Sequence, residues 1–360
     1  MAFDETIDET IFLTGFPGFI AGRLVERLAR EGAGFFLLVQ PTFVERAREE
    51  IHRIAEATDT PASNFLIVEG DITRENLGMS TEKFEAACAQ TTSLFHLAAI
   101  YDLAVARDTA MRVNVEGTRN VNRFARKLKN LRRYHYVSTC YVAGHRTGLI
   151  LENELKHDAG FRNYYEETKY LAEVEVDELK RELPVTIHRP SVVCGDSRTG
   201  ETAKYDGVYY LILYLLKAPR LLSLFNIGNR DVTLNLVPID FVVEAMATLA
   251  HDERAIGATV QLADPSPLTT QELFEVIAET MSGRKYMITI PGALVRLSLM
   301  LPPSPLITGL PHHGVPYFFL EQTYDTTRAR ELLEPHNVRC PHFPDYARNL
   351  VKFVETHPNL

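Results

Sequence analysis

Apolar residues along the chain fall into short runs separated by amphipathic stretches. Thr10–Thr14 reads TIFLT, apolar and β-rich, which predicts a buried strand. Ile20, Leu24, Val25 and Leu28 then recur at helical spacing, and Gly32 and Gly34 end that helix. Phe35–Val39 predicts a second strand, followed by a charged helix from about Phe43 to Ala57. Phe65–Val68, Leu94–Leu97, Tyr134–Val137 and Val185–His188 predict strands three to six, with a helix over Val113–Leu128. Strands that are apolar throughout and separated by helices imply a parallel sheet covered on both faces. The expected fold class is therefore α/β, a doubly wound parallel sheet of the Rossmann type, over residues 1–195.

Beyond Gly195 the rhythm changes. Asp196–Gly200 is turn-rich, and Val208–Leu216 reads VYYLILYLL. Leu234–Leu249 predicts a strand and a helix that return to the core. Leu268–Met281 is an amphipathic helix with Thr269 or Thr270 as its cap. Leu294–Leu301 is an apolar helix stopped by Pro302, Pro303 and Pro305, and Ala329–Val354 mixes short helices with prolines. Residues 196–360 are thus expected to form a smaller, mostly helical C-terminal region, with about 231–260 returning to the sheet.

Composition narrows the classes of function. The chain has 360 residues, 46% hydrophobic and 24% charged, which excludes a disordered or fibrous protein. A net charge of −9 argues against non-specific nucleic-acid binding. No apolar run reaches the roughly 20 residues that span a bilayer, and Met1–Glu9 lacks the basic and apolar regions of a signal peptide. The four cysteines form no CxxC pair, which is consistent with reduced thiols and a cytoplasmic protein. His312-His313 has no carboxylate or cysteine at a ligand spacing, so no metal site is expected.

Three short patterns carry candidate chemistry. The first is Thr14-Gly15-Phe16-Pro17-Gly18-Phe19-Ile20-Ala21, between the first strand and the first helix. Gly15 permits a tight turn, and Gly18 lets the backbone approach a pyrophosphate. The helix N-terminus offers free N–H groups, and Ala21 lets helix and strand sit close. A bare βα turn is the competing reading, but the strand-turn-helix setting favours a dinucleotide. The second strand ends Val39-Gln40-Pro41, with no carboxylate before Glu45 and with Arg46 and Arg48 beyond it. A 2′-phosphate would meet no repulsion there and could pair with an arginine, so NADP(H) is favoured over NAD(H). The competing fate of those arginines is a solvated helix face.

The second pattern is Tyr165 with Lys169, four apart on one helix face, whereas Tyr164 lies about 140° from Lys169. An ammonium beside a phenol lowers its pKa and makes a usable general acid/base. The third is Val137-Ser138-Thr139 at the end of the fifth strand, where one hydroxyl could hold a carbonyl oxygen. Each pattern alone also fits an ordinary helix face or a capping hydroxyl.

Taken in order, the set resembles the extended short-chain dehydrogenases/reductases. TGxxGxxA is followed by Gly70-Asp71-Ile72, His96-Leu97-Ala98-Ala99, Asn114-Val115-Glu116-Gly117-Thr118, VSTCYVAG, YxxxK and Arg189-Pro190-Ser191, across about residues 10–260. Within that superfamily the chain looks most like reductases of fatty acyl-CoA and carrier-bound thioesters. The resemblance implies that Tyr165 is the general acid and that Lys169 supports it and bonds the nicotinamide ribose. Counted back from Gly144, Thr139 rather than Ser138 falls on the catalytic hydroxyl, and Asn114 would hold a relay water. Gly15 to Ile20 would cradle the pyrophosphate, and Asp71 and Ile72 would contact adenine. Ala98 and Ala99 would pass close to the cofactor, and Pro190, Val192 and Val193 would lie by the nicotinamide. Gln40 stands where NADPH-dependent thioester reductases often carry an arginine, a departure from that pattern that keeps NAD(H) open beside NADP(H).

The expected activity is NAD(P)H-dependent reduction of an acyl thioester, bound to CoA or a carrier protein, or of another carbonyl on a hydrophobic substrate. The runner-up is a nucleotide-sugar epimerase or dehydratase with tightly bound NAD, although Cys140 occupies the place of a dehydratase's extra acid. A non-catalytic sensor is disfavoured by the complete Asn, Thr, Tyr and Lys set. A homodimer is a family-level expectation. The apolar stretches Tyr205–Leu222 and Leu294–Leu310 are read either as core or as the walls of an acyl pocket.

Overall fold

The computed structural model describes residues 3, 7–217, 225–226, 228–283, 288–289, 312, 314–358 and 360. The helix expected over Leu294–Leu301 and the histidine His313 lie outside them. Thirteen strands are described: β1 Thr10–Thr14, β2 Gly34–Val39, β3 Phe65–Glu69, β4 Ser93–His96, β5 Arg133–Val137, β6 Gly148–Ile150, β7 Val185–Pro190, β8 Val192–Cys194, β9 Phe225–Asn226, β10 Leu236–Pro238, β11 Thr259–Leu262, β12 Ile288–Thr289 and β13 Gln322–Tyr324. Seven of them form one sheet in the order β11-β7-β5-β4-β1-β2-β3, and every adjacent pair in it is parallel. The remaining pairs are short and parallel: β8 with β10, β9 with β12, and β6 with β13.

Six of the seven sheet strands coincide with the runs read from the sequence. The seventh, β11, reads TVQL, and its buried Gln261 hid it from a search for continuous apolar runs. Its polar groups are satisfied internally. Gln261 N donates to Glu152 Oε1 at 2.8 Å, and Gln261 Nε2 donates to the Ile150 carbonyl at 2.9 Å.

Alternation along the strands builds two cores. Ile11, Leu13, Phe35 and Leu37 face one layer, which holds α1 (Phe19–Ala29), α2 (Val44–Thr58) and α8 (Ile239–His251). Phe12, Phe36 and Leu38 face the other, with α3 (Thr81–Gln90), α5 (Gly117–Ala125) and α6 (Tyr164–Leu179). The helix expected over Val113–Leu128 starts earlier. It opens as α4 (Arg107–Ala110), passes through a π-helical turn at Met111–Glu116 and continues as α5. A third core joins α7 (Tyr209–Lys217), α9 (Thr270–Ser282) and the helix Phe343–Thr356, so the VYYLILYLL run packs as core except for its exposed last residue, Leu216. Thr269, not Thr270, caps α9, and with Glu272 it completes a reciprocal capping box. Phe318 and Leu320, apolar residues near the C-terminus, are buried as well.

Three histidines lie fully buried in the strands. His135 Nδ1 and His188 Nε2 share a hydrogen bond at 3.0 Å, while His135 Nε2 and His188 Nδ1 have no partner among the described residues. Thr14 and Thr118 hold the two ring nitrogens of His96. Burial lowers all three pKa values, to about 3 for His96 and His188, so the folded chain keeps the imidazoles neutral. The unfolded chain binds these protons below about pH 6.5, and each histidine then withdraws about 1.4 kcal/mol of stability per pH unit. Glu152, raised to about 7 by burial, and His251, raised by its bond to Glu31, act in the opposite sense. Asp206 and Asp264, raised by burial, oppose the histidines too, but Glu26, Glu31 and Asp252, whose pKa values are lowered, act with them, so the groups that lose stability as pH falls outnumber the rest. We expect the urea midpoint to fall between pH 7 and pH 5; a midpoint that stays level or rises would contradict this reading.

Candidate active site

A cavity of about 740 Å³ opens at the carboxyl edge of the sheet, where the chain order reverses between β1 and β4. That is where an open α/β sheet binds ligands. Its floor is the turn Gly15–Ala21, which contains a cis Phe16–Pro17 peptide bond. Gly18 N donates to the Gly15 carbonyl at 2.8 Å, and Gly18 leads into α1. Gly15 has φ +96°, and a Cβ on it would lie 2.9 Å from Ala98 N, so the neighbouring β4 loop requires a glycine there. A Cβ on Gly18 would meet the Gly15 carbonyl oxygen at 2.7 Å. Gly18 is therefore needed to close the turn itself, and not only for the approach of a ligand.

The residues read from the sequence converge on this cavity. Gly15, Phe16, Pro17, Gly18, Phe19 and Ile20 line one wall, Ala98, Ala99, Pro190, Val192 and Val193 another, and Thr139, Tyr165 and Lys169 the depth between them. Gln40, Arg46, Asp71 and Ile72 line it too. Arg48 does not; its guanidinium pairs with Glu45 at 2.7 Å. Asn114 does not line the cavity either. It is fully buried in the π turn, where its carbonyl oxygen accepts from Ile100 N at 2.8 Å and its amide donates to Ile100 O at 3.3 Å and Thr168 Oγ1 at 3.0 Å.

Asn163 caps α6, accepting from Glu166 N at 3.0 Å, and the helix then carries Tyr165, Lys169 and Glu173 on one stripe. Thr139 accepts from Tyr141 N at 3.2 Å, and its side chain lies near enough to the Tyr165 phenol to act on its pKa. Ser138 is engaged elsewhere, donating to Glu173 Oε2. Lys169 Nζ donates to Val137 O at 2.8 Å and Tyr136 OH at 2.9 Å. Burial pushes the Tyr165 phenol above its ordinary value, against the opposing effect of Thr139. Burial also brings Lys169 down to about 7, against the opposing charge of Glu173. In the protein alone the expected lowering of Tyr165 by Lys169 does not occur: desolvation dominates both groups, and Lys169 is not among the groups acting on the phenol.

Behind the stripe lies a buried ion pair. Arg189 donates to Glu173 Oε1 through Nη2 at 2.6 Å and Nε at 2.9 Å, and through Nη1 to the carbonyls of Glu152 and Glu154. Sequence reading missed Glu173, although it sits one helical turn beyond Lys169. It also passed over Ser191, which lines the cavity and whose buried Oγ has no partner among the described residues. Tyr101, which packs edge-on against Tyr165 at 5.1 Å, carried no sequence signal.

The arrangement fits a nicotinamide dinucleotide. The first turn of α1 presents its N–H groups to the cavity floor, Arg46 lines the cavity, and Ser191 Oγ needs a polar partner that a ligand would supply. Among the described residues no cluster of three or more His, Cys, Asp or Glu could hold a metal ion. Among them, too, no helix is long and apolar enough to cross a membrane.

Comparison with known proteins agrees with the geometry. An NAD-binding family model described as male sterility protein matches residues 13–246. The chain is 25% identical over 285 residues to "Fatty acyl-CoA reductase wat" of Drosophila melanogaster, covering 68% of this chain and 54% of that protein. It is 24% identical over 288 residues to a linear gramicidin synthase of Brevibacillus parabrevis, covering 76% of this chain and 6% of the synthase. The chain thus spans about half the length of the fly relative and a small part of the synthase. Among solved structures, the terminal R domain of the myxalamid PKS-NRPS pathway superposes with a TM-score of 0.82 at 24% identity, over 99% of this chain and 93% of that one, a likeness of fold.

Breaking a buried ion pair from one side leaves an uncompensated charge, at a cost of about 3–5 kcal/mol. Glu173→Gln should lose stability of that order in urea denaturation. A loss under about 1 kcal/mol would show that the pair does not hold α6 in place.

Proposed function

The chain belongs to the male sterility protein family of NAD-binding domains, and from that premise we propose that it is an NADP(H)-dependent reductase of acyl thioesters carried on CoA or on a carrier protein. The observation that carries this reading is a single cavity joining the glycine turn and Arg46 to the Thr139–Tyr165 pair. The Drosophila relative, named a fatty acyl-CoA reductase, supports the substrate class.

The residues Gly15 to Ile20 would hold the pyrophosphate, Asp71 and Ile72 the adenine, and Pro190, Val192 and Val193 the nicotinamide end. Arg46, with no carboxylate opposing it on the cavity wall between Gln40 and Ile72 except Asp71, favours a 2′-phosphate and hence NADP(H) over NAD(H). Asp71 is already engaged, accepting from Thr73 N and Thr73 Oγ1, both at 2.8 Å. When bound, the cofactor supplies a hydride to the thioester carbonyl carbon.

The chain's own residues then manage the oxygen. Thr139 and Tyr165 hold the carbonyl oxygen between two hydroxyls, and Tyr165 delivers its proton there as negative charge develops. A phenol raised by burial is fully protonated at neutral pH, which is the form reduction needs. Lys169 has three N–H donors, two of them on Val137 and Tyr136, and the third is available to a ribose hydroxyl. Collapse of the resulting hemithioacetal releases the thiol and leaves the aldehyde. Of the C-terminal region, Thr202, Ala203, Lys204 and Asp206 line the cavity.

The test is cofactor oxidation by the purified chain given a long-chain acyl-CoA, with NADPH and NADH in parallel. We expect aldehyde or alcohol as product, faster turnover with NADPH, and a loss in kcat of about 10²–10⁴ in Tyr165→Phe with cofactor affinity retained. Full turnover in Tyr165→Phe would refute the assigned chemistry. Equal rates with both cofactors would refute the role of Arg46.

A further inference from the structure

Tyr317 lies more than 150 residues along the chain from Asn163 and Glu166, yet it touches the supports of both hydroxyls at the reacting centre. It lies in the short 3-10 turn Val315–Phe319 and is buried. Its hydroxyl donates to Glu166 Oε1 at 2.6 Å and accepts from Asn163 Nδ2 at 2.6 Å. Those two residues flank Tyr165 at the start of α6. Asn163 is the cap, and Glu166 is the fully buried carboxylate whose N–H the cap accepts from. Glu166 Oε2 in turn accepts from Arg162 N at 3.1 Å and pairs with the Arg162 guanidinium at 3.3 Å.

The ring of Tyr317 does a second thing. Its centroid is 4.6 Å from that of Tyr141, which sits in the turn Cys140–Ala143 that Thr139 caps. Tyr141, Tyr165, Tyr317 and Leu320 form one small apolar cluster. Packing alone would ask only for an apolar ring in that cluster. The buried hydroxyl, with hydrogen bonds on both sides of Tyr165, is not explained by filling space, because a buried polar group without such partners is costly.

We propose that Tyr317 is a positioning residue that fixes the separation of Thr139 and Tyr165, its ring bracing the Thr139 turn while its hydroxyl clamps the first turn of α6. The inference rests on the reading that these two hydroxyls act on the substrate oxygen. Tyr317 itself does not line the cavity. It couples the placement of the Val315–Phe319 segment to the geometry of proton delivery, where a misplacement of about 1 Å can cost about 10²-fold in rate.

The experiment is a double-mutant cycle on the full chain with Tyr317→Phe and Thr139→Ala, together with amide hydrogen exchange over residues 163–168. Tyr317→Phe should lower kcat by roughly 10- to 100-fold with cofactor Kd unchanged within about twofold. In the Thr139→Ala background it should lower kcat much less, because the distance it sets no longer matters. Exchange over residues 163–168 should quicken in Tyr317→Phe while the strands stay protected. Equal effects in both backgrounds, or unchanged exchange, would overturn the proposal and leave Tyr317 a packing residue. Should Tyr317→Phe fail to fold, Asn163→Ser keeps a cap for α6 but is too short to reach Tyr317, and the same non-additivity with Thr139→Ala decides. The exchange arm needs no substrate. A wild type that reduces no thioester would therefore fail the functional reading while exchange still judged the clamp.

Discussion

Glu173 carries its charge with no exposure at all, and Arg189 answers it with almost none. Two ions taken out of water cost several kcal/mol each unless geometry and further hydrogen bonds offset the loss. Here the offset is complete: Arg189 binds Glu173 through two nitrogens and two backbone carbonyls through the third, and Ser138 takes the second carboxylate oxygen. Helix α6 can dock on the sheet in only one register without breaking that set. Once the register is fixed, Lys169 falls one turn earlier and Tyr165 two turns earlier, both facing the end of β5. Ser138 is consumed by the same constraint, which leaves Thr139 as the hydroxyl beside Tyr165.

Much of this was legible in the sequence. Continuous apolar runs marked six parallel strands because a strand covered on both faces leaves no polar side to disguise it. The glycine turn was legible because a strand, a tight turn and a helix follow one another within a dozen residues. Spacing alone separated Tyr165 from Tyr164. Every residue assigned to the cofactor lines one cavity.

Other features were hidden for physical reasons. β11 escaped because Gln261 interrupts its apolar run, its backbone N–H satisfied by Glu152 and its side-chain amide by Ile150 at the end of β6, both far away in sequence. Tyr317 gave no signal because its partners lie far away in sequence and nothing in local spacing marks a tertiary hydrogen bond. The resemblance gave Asn114 a relay water to hold. In the protein its amide is spent on Ile100 and Thr168, a pattern that local spacing does not encode. The direction of the Tyr165 shift was also out of reach, since it depends on how completely the folded chain excludes water. Desolvation keeps the phenol protonated and weakens the lysine's charge, and a bound dinucleotide would add its phosphates to that balance.

Reduction at Tyr165 stands or falls on where the hydride goes. The most direct measurement is to supply NADPH deuterated at C4 of the dihydronicotinamide, with an acyl thioester, and to locate the label in the product by mass spectrometry. Deuterium on the former carbonyl carbon, with the oxygen's proton drawn from exchangeable sites, is the predicted result. A reduced product carrying solvent hydrogen at that carbon, or cofactor oxidised with no label transferred, would contradict the account.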